Sequence, residues 1–138
     1  MIFSDCKQFM PHDDVYVRLG VSKIHGVGVF AIRHIKKGTD PFMHDNNQIV
    51  WIKDEEVQKL KEDNQELYKF YEDFCVFKDG YWGAPPNFNQ LTSSWFLNNS
   101  EDPNMQCDGE DYIFFAKRDI EKGEELTADY STYSEDYQ

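Results

Sequence analysis

At 138 residues the chain suits one domain with a single hydrophobic core, and its 40% hydrophobic and 16% aromatic content excludes a disordered segment. Its 26 Asp and Glu against 14 Lys and Arg leave a formal charge of −12, which argues against direct nucleic-acid or anionic-membrane binding and favours basic partners. Cys6, Cys75 and Cys107 are widely spaced and lack a CxxC, so neither a disulfide framework nor a zinc site is signalled. Reduced thiols in a cytoplasmic protein are the simplest account. The opening MIFSDCKQFM has no basic region followed by an apolar core, and no apolar run reaches membrane-spanning length.

Taken in order, residues 1–14 show no clear periodicity and read as an arm. Residues 15–19 (VYVRL) alternate in polarity, the period of a half-buried strand. In residues 22–32 (SKIHGVGVFAI) two glycines let the backbone approach a ligand or turn sharply, and the β-branched residues after them resume a strand. The third glycine and following helix of a dinucleotide fingerprint are missing, so a bulged hairpin fits as well as a ligand loop. His25 beside them reads first as a solvated turn residue. After a turn at 35–39 and a loop, residues 48–52 form a short strand. A helix is expected from Asp54, as N-cap, to about Asp73. Val57, Leu60, Leu67, Tyr71 and Phe74 lie on one face of it, and its role is packing. Residues 75–94 read as a loop rich in turn signals, whose aromatics either pin it to the core or wall a pocket.

Residues 95–104 (WFLNNSEDPN) begin apolar and turn abruptly polar around Pro103. The ordinary reading is a strand and an Asp-Pro turn, although Asn amides also suit the edge of a flat heterocycle. A buried strand at 112–116, a charged turn at 117–125 and a strand at 126–130 complete the chain. Residues 30–38 (FAIRHIKKG) are echoed by 115–123 (FAKRDIEKG), so that two strand–turn units flank the WFLNNS stretch.

At this point the sequence resembles the SET-domain protein lysine methyltransferases. Residues 22–39 are similar to that family's opening S-x-x-x-G-x-G-V-F-A segment with its I-x-x-G-T turn. Residues 95–104 are similar to its F-[IL]-N-H-S-x-x-P-N motif, 112–120 to the strand that follows, and 123–130 (GEELTADY) to its G-E-E-L-T-x-D-Y without departure. The resemblance implies a mainly β fold of small curled sheets with a short helical insert and a knot-like threaded C-terminus. It places the domain at 15–133, the insert at about 54–74 and a tail at 134–138. It implies S-adenosyl-L-methionine as cofactor, S-adenosyl-L-homocysteine as product, and no metal. The backbone at His25, Gly26, Val27 and Gly28 would lie along the methionine part, with Asn98 and Asn99 also holding the cofactor, the latter at its adenine. Tyr130 would be the active-site tyrosine beside the methyl group, with Tyr81, Tyr112 and Tyr133 as companions walling a substrate channel.

The chemistry of the residues fits that assignment. Methyl transfer to the ε-amine of a lysine is an in-line displacement in which positioning supplies much of the rate. Aromatic walls suit a lysine stem, and an acidic surface suits a basic protein or peptide such as a histone or histone-like substrate. Two departures stand out: Asn99 occupies the family's usual His position, and Glu101 that of a frequent Cys. With no cysteine-rich segment after Tyr130, the chain resembles minimal stand-alone members, and the channel is expected to be closed by Tyr133 and Tyr137, a second subunit of a homodimer, or the substrate. The competing readings are a catalytically silent SET-like module binding a basic partner, and an acidic mimic of nucleic acid.

Overall fold

The computed structural model describes residues 11–137; most of the expected arm, and Cys6, lie outside the described residues. In chain order the strands are β1 (Val17–Val21), β2 (Val27–Ala31), β3 (Val50–Lys53), β4 (Val76–Lys78), β5 (Tyr81–Ala84), β6 (Asn98–Asn99), β7 (Met105–Asp108), β8 (Ile113–Ala116) and β9 (Glu125–Ala128). The helices are α1 (Asp54–Gln58), α2 (Leu60–Asp63) and α3 (Gln65–Phe74). Small sheets with one short helical stretch are thus what the sequence builds, as expected.

The principal sheet runs β1-β2-β9-β6, in which β6 lies parallel to β9 and the other pairs are antiparallel. The strand that follows the two glycines therefore sits against the strand of the GEELTADY segment, and the two asparagines flank that segment on its other side. The sequence echo has a physical meaning here. Ile35 and Ile120 exchange both backbone hydrogen bonds at 2.8 Å. Gly38 N–H donates to the Ala116 carbonyl and Gly123 N–H to the Ala31 carbonyl, each at 2.8 Å. Ala116 N–H donates to Thr39 and Ala31 N–H to Glu124. Equivalent residues of the two echoes, Ala31 and Ala116, Ile35 and Ile120, Gly38 and Gly123, make the same bonds to the opposite unit, so the two units grip each other about a local pseudo-two-fold axis. Val29, Ile35, Met105, Ile120 and Leu126, all sealed from solvent, fill the core around it. Each such side chain contributes about 1.5–3 kcal/mol on burial.

The unit built from α1–α3 and the β3-β5-β4 sheet corrects two expectations. The single helix from Asp54 to about Asp73 is broken into three. Lys53, not Asp54, holds the first N-cap position, and the Asp54 carboxylate accepts instead from Trp82 Nε1 and Gln58 Nε2, both at 2.9 Å. The first break falls at Lys59; the second falls at Asn64, whose non-helical backbone leaves the helix and whose side chain accepts from Leu67 N–H to start α3. The expected apolar face survives the breaks, with Val57 and Tyr71 buried against Trp82, Ala84 and Cys75. The loop expected at 75–94 holds a hairpin instead. Asp79 and Gly80 both adopt positive φ, 53° and 82°, the geometry of a tight hairpin turn, and β4 and β5 pair on either side of it. Strand β7, pairing with β8, had no clear signature either. Trp95 and Phe96 belong to a 3-10 turn (Ser93–Phe96) rather than to the ordinary strand, which shrinks to the two residues of β6.

Candidate active site

Three asparagines of the 95–104 segment tie the principal sheet together. Asn104 is buried; its Nδ2 donates to the Glu125 carbonyl and its Oδ1 accepts from Thr127 N–H, both at 2.8 Å. Asn98 Nδ2 donates to the His25 carbonyl at 2.9 Å, to the Val27 carbonyl at 3.3 Å and to Glu125 Oε2 at 3.0 Å. Asn99 Oδ1 accepts from Tyr130 N–H at 2.8 Å, leaving its own amide N–H groups exposed. The structure therefore brings the turn at His25, Gly26, Val27 and Gly28 together with Asn98, while Asn99 is tied to Tyr130.

Tyr130 stands two residues past the end of β9, and its hydroxyl donates to the Leu97 carbonyl, just before Asn98. Burial, with smaller contributions from Tyr137 and Glu125, pushes its phenol up to about 12. The ring thus stays neutral in ordinary buffers. It lines a pocket enclosing about 680 Å³, mouth included, together with Leu97, Trp95, Tyr112, Phe114 and Tyr133 and with Phe74, Cys75 and Val76. Tyr133 packs edge-on against Tyr130, Phe114 and Tyr112, with centroids 6.0, 5.3 and 6.5 Å apart. Tyr137 crosses Tyr130 at 5.0 Å. Burial first, then neighbouring phenols and acids, drives the Tyr133 phenol far upward too.

Tyr112 is held at φ 55°, in the left-handed region rare for a bulky residue, and its hydroxyl is sealed without a hydrogen-bond partner among the described residues. The structure does not bring Tyr81 to this pocket: it stands on β5 opposite Lys53 and Lys78, with its side chain substantially exposed. The rim is acidic. Asp73 lines the pocket, and Asp136, Asp73 and Glu72, after burial, hold the Tyr137 phenol above its usual range. No group of three or more metal-ligating side chains occurs among the described residues.

Glu125, Ser22 and the Leu97 carbonyl belong to this constellation and were not singled out from sequence. Ser22 Oγ donates to the Glu125 carboxylate at 2.8 Å while accepting from Ile24 and His25 N–H, a compact serine turn for which the S-x-x-H spacing is the only local sign.

A SET-domain profile matches residues 26–131, well over half of the chain and taking in Gly26, Gly28, Asn98, Asn99, Glu125 and Tyr130. The chain belongs to the SET-domain family. Two solved structures carry the likeness in fold. The Neurospora SET domain protein DIM-5, a histone lysine methyltransferase, aligns with a TM-score of 0.52 and 23% identity over 83% of this chain and 51% of its own. A humanized mutant of the Chaetomium thermophilum Polycomb Repressive Complex 2, bound to the inhibitor GSK126, aligns with a TM-score of 0.55 and 21% identity over 86% of this chain and 15% of its own. This SET domain thus spans about half of one relative and a small part of the other. A search of curated proteins returns no match.

Proposed function

We propose that this SET domain transfers a methyl group from S-adenosylmethionine to the ε-amine of a lysine in a basic protein. The observation that carries the reading is Tyr130: its backbone is tied to Asn99, its hydroxyl to the Leu97 carbonyl, and its ring walls an aromatic pocket with an acidic rim. The residues fit the cofactor. Asn99 offers free amide donors suited to a purine edge, and the Gly26 turn, at φ 46°, leaves open space where a side chain would stand. A bound S-adenosylmethionine supplies an electrophilic methyl group carried on a sulfonium.

The protein's own part is positioning and proton control. Free lysine titrates near pH ~10.4, so the nucleophile must arrive deprotonated. Walls made of Phe114, Tyr112 and Tyr133 disfavour the ammonium form and direct its proton to solvent before the N–C bond forms. Tyr130, neutral and with its proton committed to Leu97, presents oxygen lone pairs rather than a full charge, which suits a methyl group passing between two atoms in line. Asp73, Glu72 and Asp136 favour a substrate with further basic residues near the target lysine.

Calorimetric titration with S-adenosylmethionine, followed by label transfer to a lysine-rich protein mixture, tests the reading. Binding with transfer, reduced about a hundredfold or more in Tyr130→Phe, is expected for a residue that orders the reacting atoms. Absence of binding by the intact protein would overturn it, and binding without any transfer would favour a silent, peptide-binding SET module.

A further inference from the structure

Glu125 sits in surroundings unusual for an acid. Both carboxylate oxygens lie 2.8 Å from Ser22 Oγ, and Oε2 accepts from Asn98 Nδ2 at 3.0 Å. No cation pairs with it among the described residues. Gly28 packs directly against it: a Cβ there would stand 2.4 Å from Oε2, so any side chain would push the carboxylate out of its place. Through Ser22 the same carboxylate holds the N–H groups of Ile24 and His25, at 2.9 and 3.2 Å. One acid thus fastens the 22–28 turn and Asn98 at once.

The consequence falls on Asn98. Its NH2 has two hydrogens and faces three acceptors: the His25 and Val27 carbonyls and Glu125 Oε2. Reversing the amide would set its oxygen against three oxygens, so its sense is fixed. The amide oxygen is therefore turned away from them, and it has no partner among the described residues although Asn98 is only 7% exposed. A nearly buried, unpaired acceptor next to an uncompensated carboxylate suits a group that donates hydrogen bonds and carries positive charge.

The structure assigns Glu125 as a positioning residue: it fixes Asn98 so that the amide oxygen, backed by the carboxylate, receives an ammonium group of the ligand bound beside the Gly26–Gly28 turn. The assignment rests on the cofactor reading above, in which that group is the α-ammonium of the methionine part. Glu125→Gln keeps the shape and removes the charge; Glu125→Ala removes the anchor.

Two measurements on the full chain test it. Calorimetry compares S-adenosylmethionine with 5′-methylthioadenosine, which lacks the amino-acid part. Glu125→Gln is expected to weaken the first about tenfold and the second less than about twofold, in line with loss of a charge-assisted interaction. Equal weakening of both ligands, or of neither, overturns the assignment, since a merely structural acid would not discriminate between them. Amide hydrogen exchange supplies a ligand-free arm. The Asn98 side-chain protons are expected to be protected in the parent and in Glu125→Gln, and to exchange at least about tenfold faster in Glu125→Ala. Unchanged exchange overturns the anchor whatever binds. Protection lost as expected in a parent that binds neither compound would sustain the anchor and sink the cofactor reading instead, and melting curves on both variants exclude loss of fold as the cause.

Discussion

The part of the pocket lining made by Phe74, Cys75 and Val76 is assembled from neighbours along the chain, whereas the part made by Leu97 and Tyr130 depends on partners from opposite ends of it. The first unit, α1–α3 on the β3-β5-β4 sheet, is packed by rings: Tyr71 against Trp82 and Phe88, and Phe77 against Trp82. The second is bound by side-chain amides and carboxylates reaching between distant strands, with Asn104 and Asn98 both meeting β9. Ring packing tolerates adjustment, while a buried amide spanning two backbones does not. The locally packed unit supplies part of the pocket lining; the unit tied at long range fixes the atoms that need exact placement.

That contrast can be broken most severely at the pseudo-dyad. Ile120→Ala and Ile35→Ala each remove a fully buried side chain from the axis and are expected to cost about 4 kcal/mol, equal within about 1 kcal/mol, in urea unfolding. Costs that differ much more widely would mean that the two units are not equivalent supports. Asn104→Ala leaves the Glu125 carbonyl and the Thr127 N–H without their side-chain partner and is expected to cost about 3 kcal/mol, together with cofactor affinity. Val57→Ala, in the ring-packed unit, should cost about 2 kcal/mol and leave ligand affinity within about twofold; a large loss of affinity there would erase the distinction between the units.

A smaller effect follows from pH. Tyr130 and Cys107 are each pushed up to about 12, from ordinary values of 10.0 and 9.0, chiefly by burial. Above those ordinary values the unfolded chain releases protons that the folded chain retains. Stability is therefore expected to be fully present below about pH 9 and to fall as pH rises from there towards 12. Melting temperatures read from pH 8 to 11 in Tyr130→Phe should decline less steeply than in the parent. Least affected should be Glu124→Gln on the rim of the dyad. Glu124 accepts from Glu121 N–H at 3.0 Å and pairs with Arg118 at 3.1 Å in a largely solvated setting, so a loss below about 1 kcal/mol is expected by thermal melting.

The two units also differ in how plainly the sequence announces them. Helical spacing exposed the face of Val57, Leu60, Leu67, Tyr71 and Phe74, because period and packing are both local there. It could not show the breaks, since Asn64 stops α2 and caps α3 with a side chain whose choice of conformation depends on its neighbours. The Asp79-Gly80 hairpin was written in the sequence as a D-G pair, but Tyr, Trp and the two prolines after it made the stretch look like loop. The tyrosine at the end of GEELTADY and the asparagine pair stood out through their motifs. Nothing local marks Glu125 as distinct from the exposed acids around it, because what distinguishes it is the absent Cβ of Gly28 and a serine more than a hundred residues away. Tyr112 and Tyr133 converge with Tyr130 in the pocket, while Tyr81 faces elsewhere by the register of β5.

The ladder between Ile35 and Ile120 also imposes an order on synthesis. Residues 50–84, which carry all the strands of one sheet, can collapse while the ribosome is still adding the remainder. The pairing of Ile35 must wait until residue 120 has emerged, and Leu97 cannot receive the Tyr130 hydroxyl until ten residues later still. Throughout that interval β2 has an open edge where β9 will lie, and closing so long a loop is slow relative to local packing. The late strand that completes the site is also the one that ends the exposure of the nascent chain.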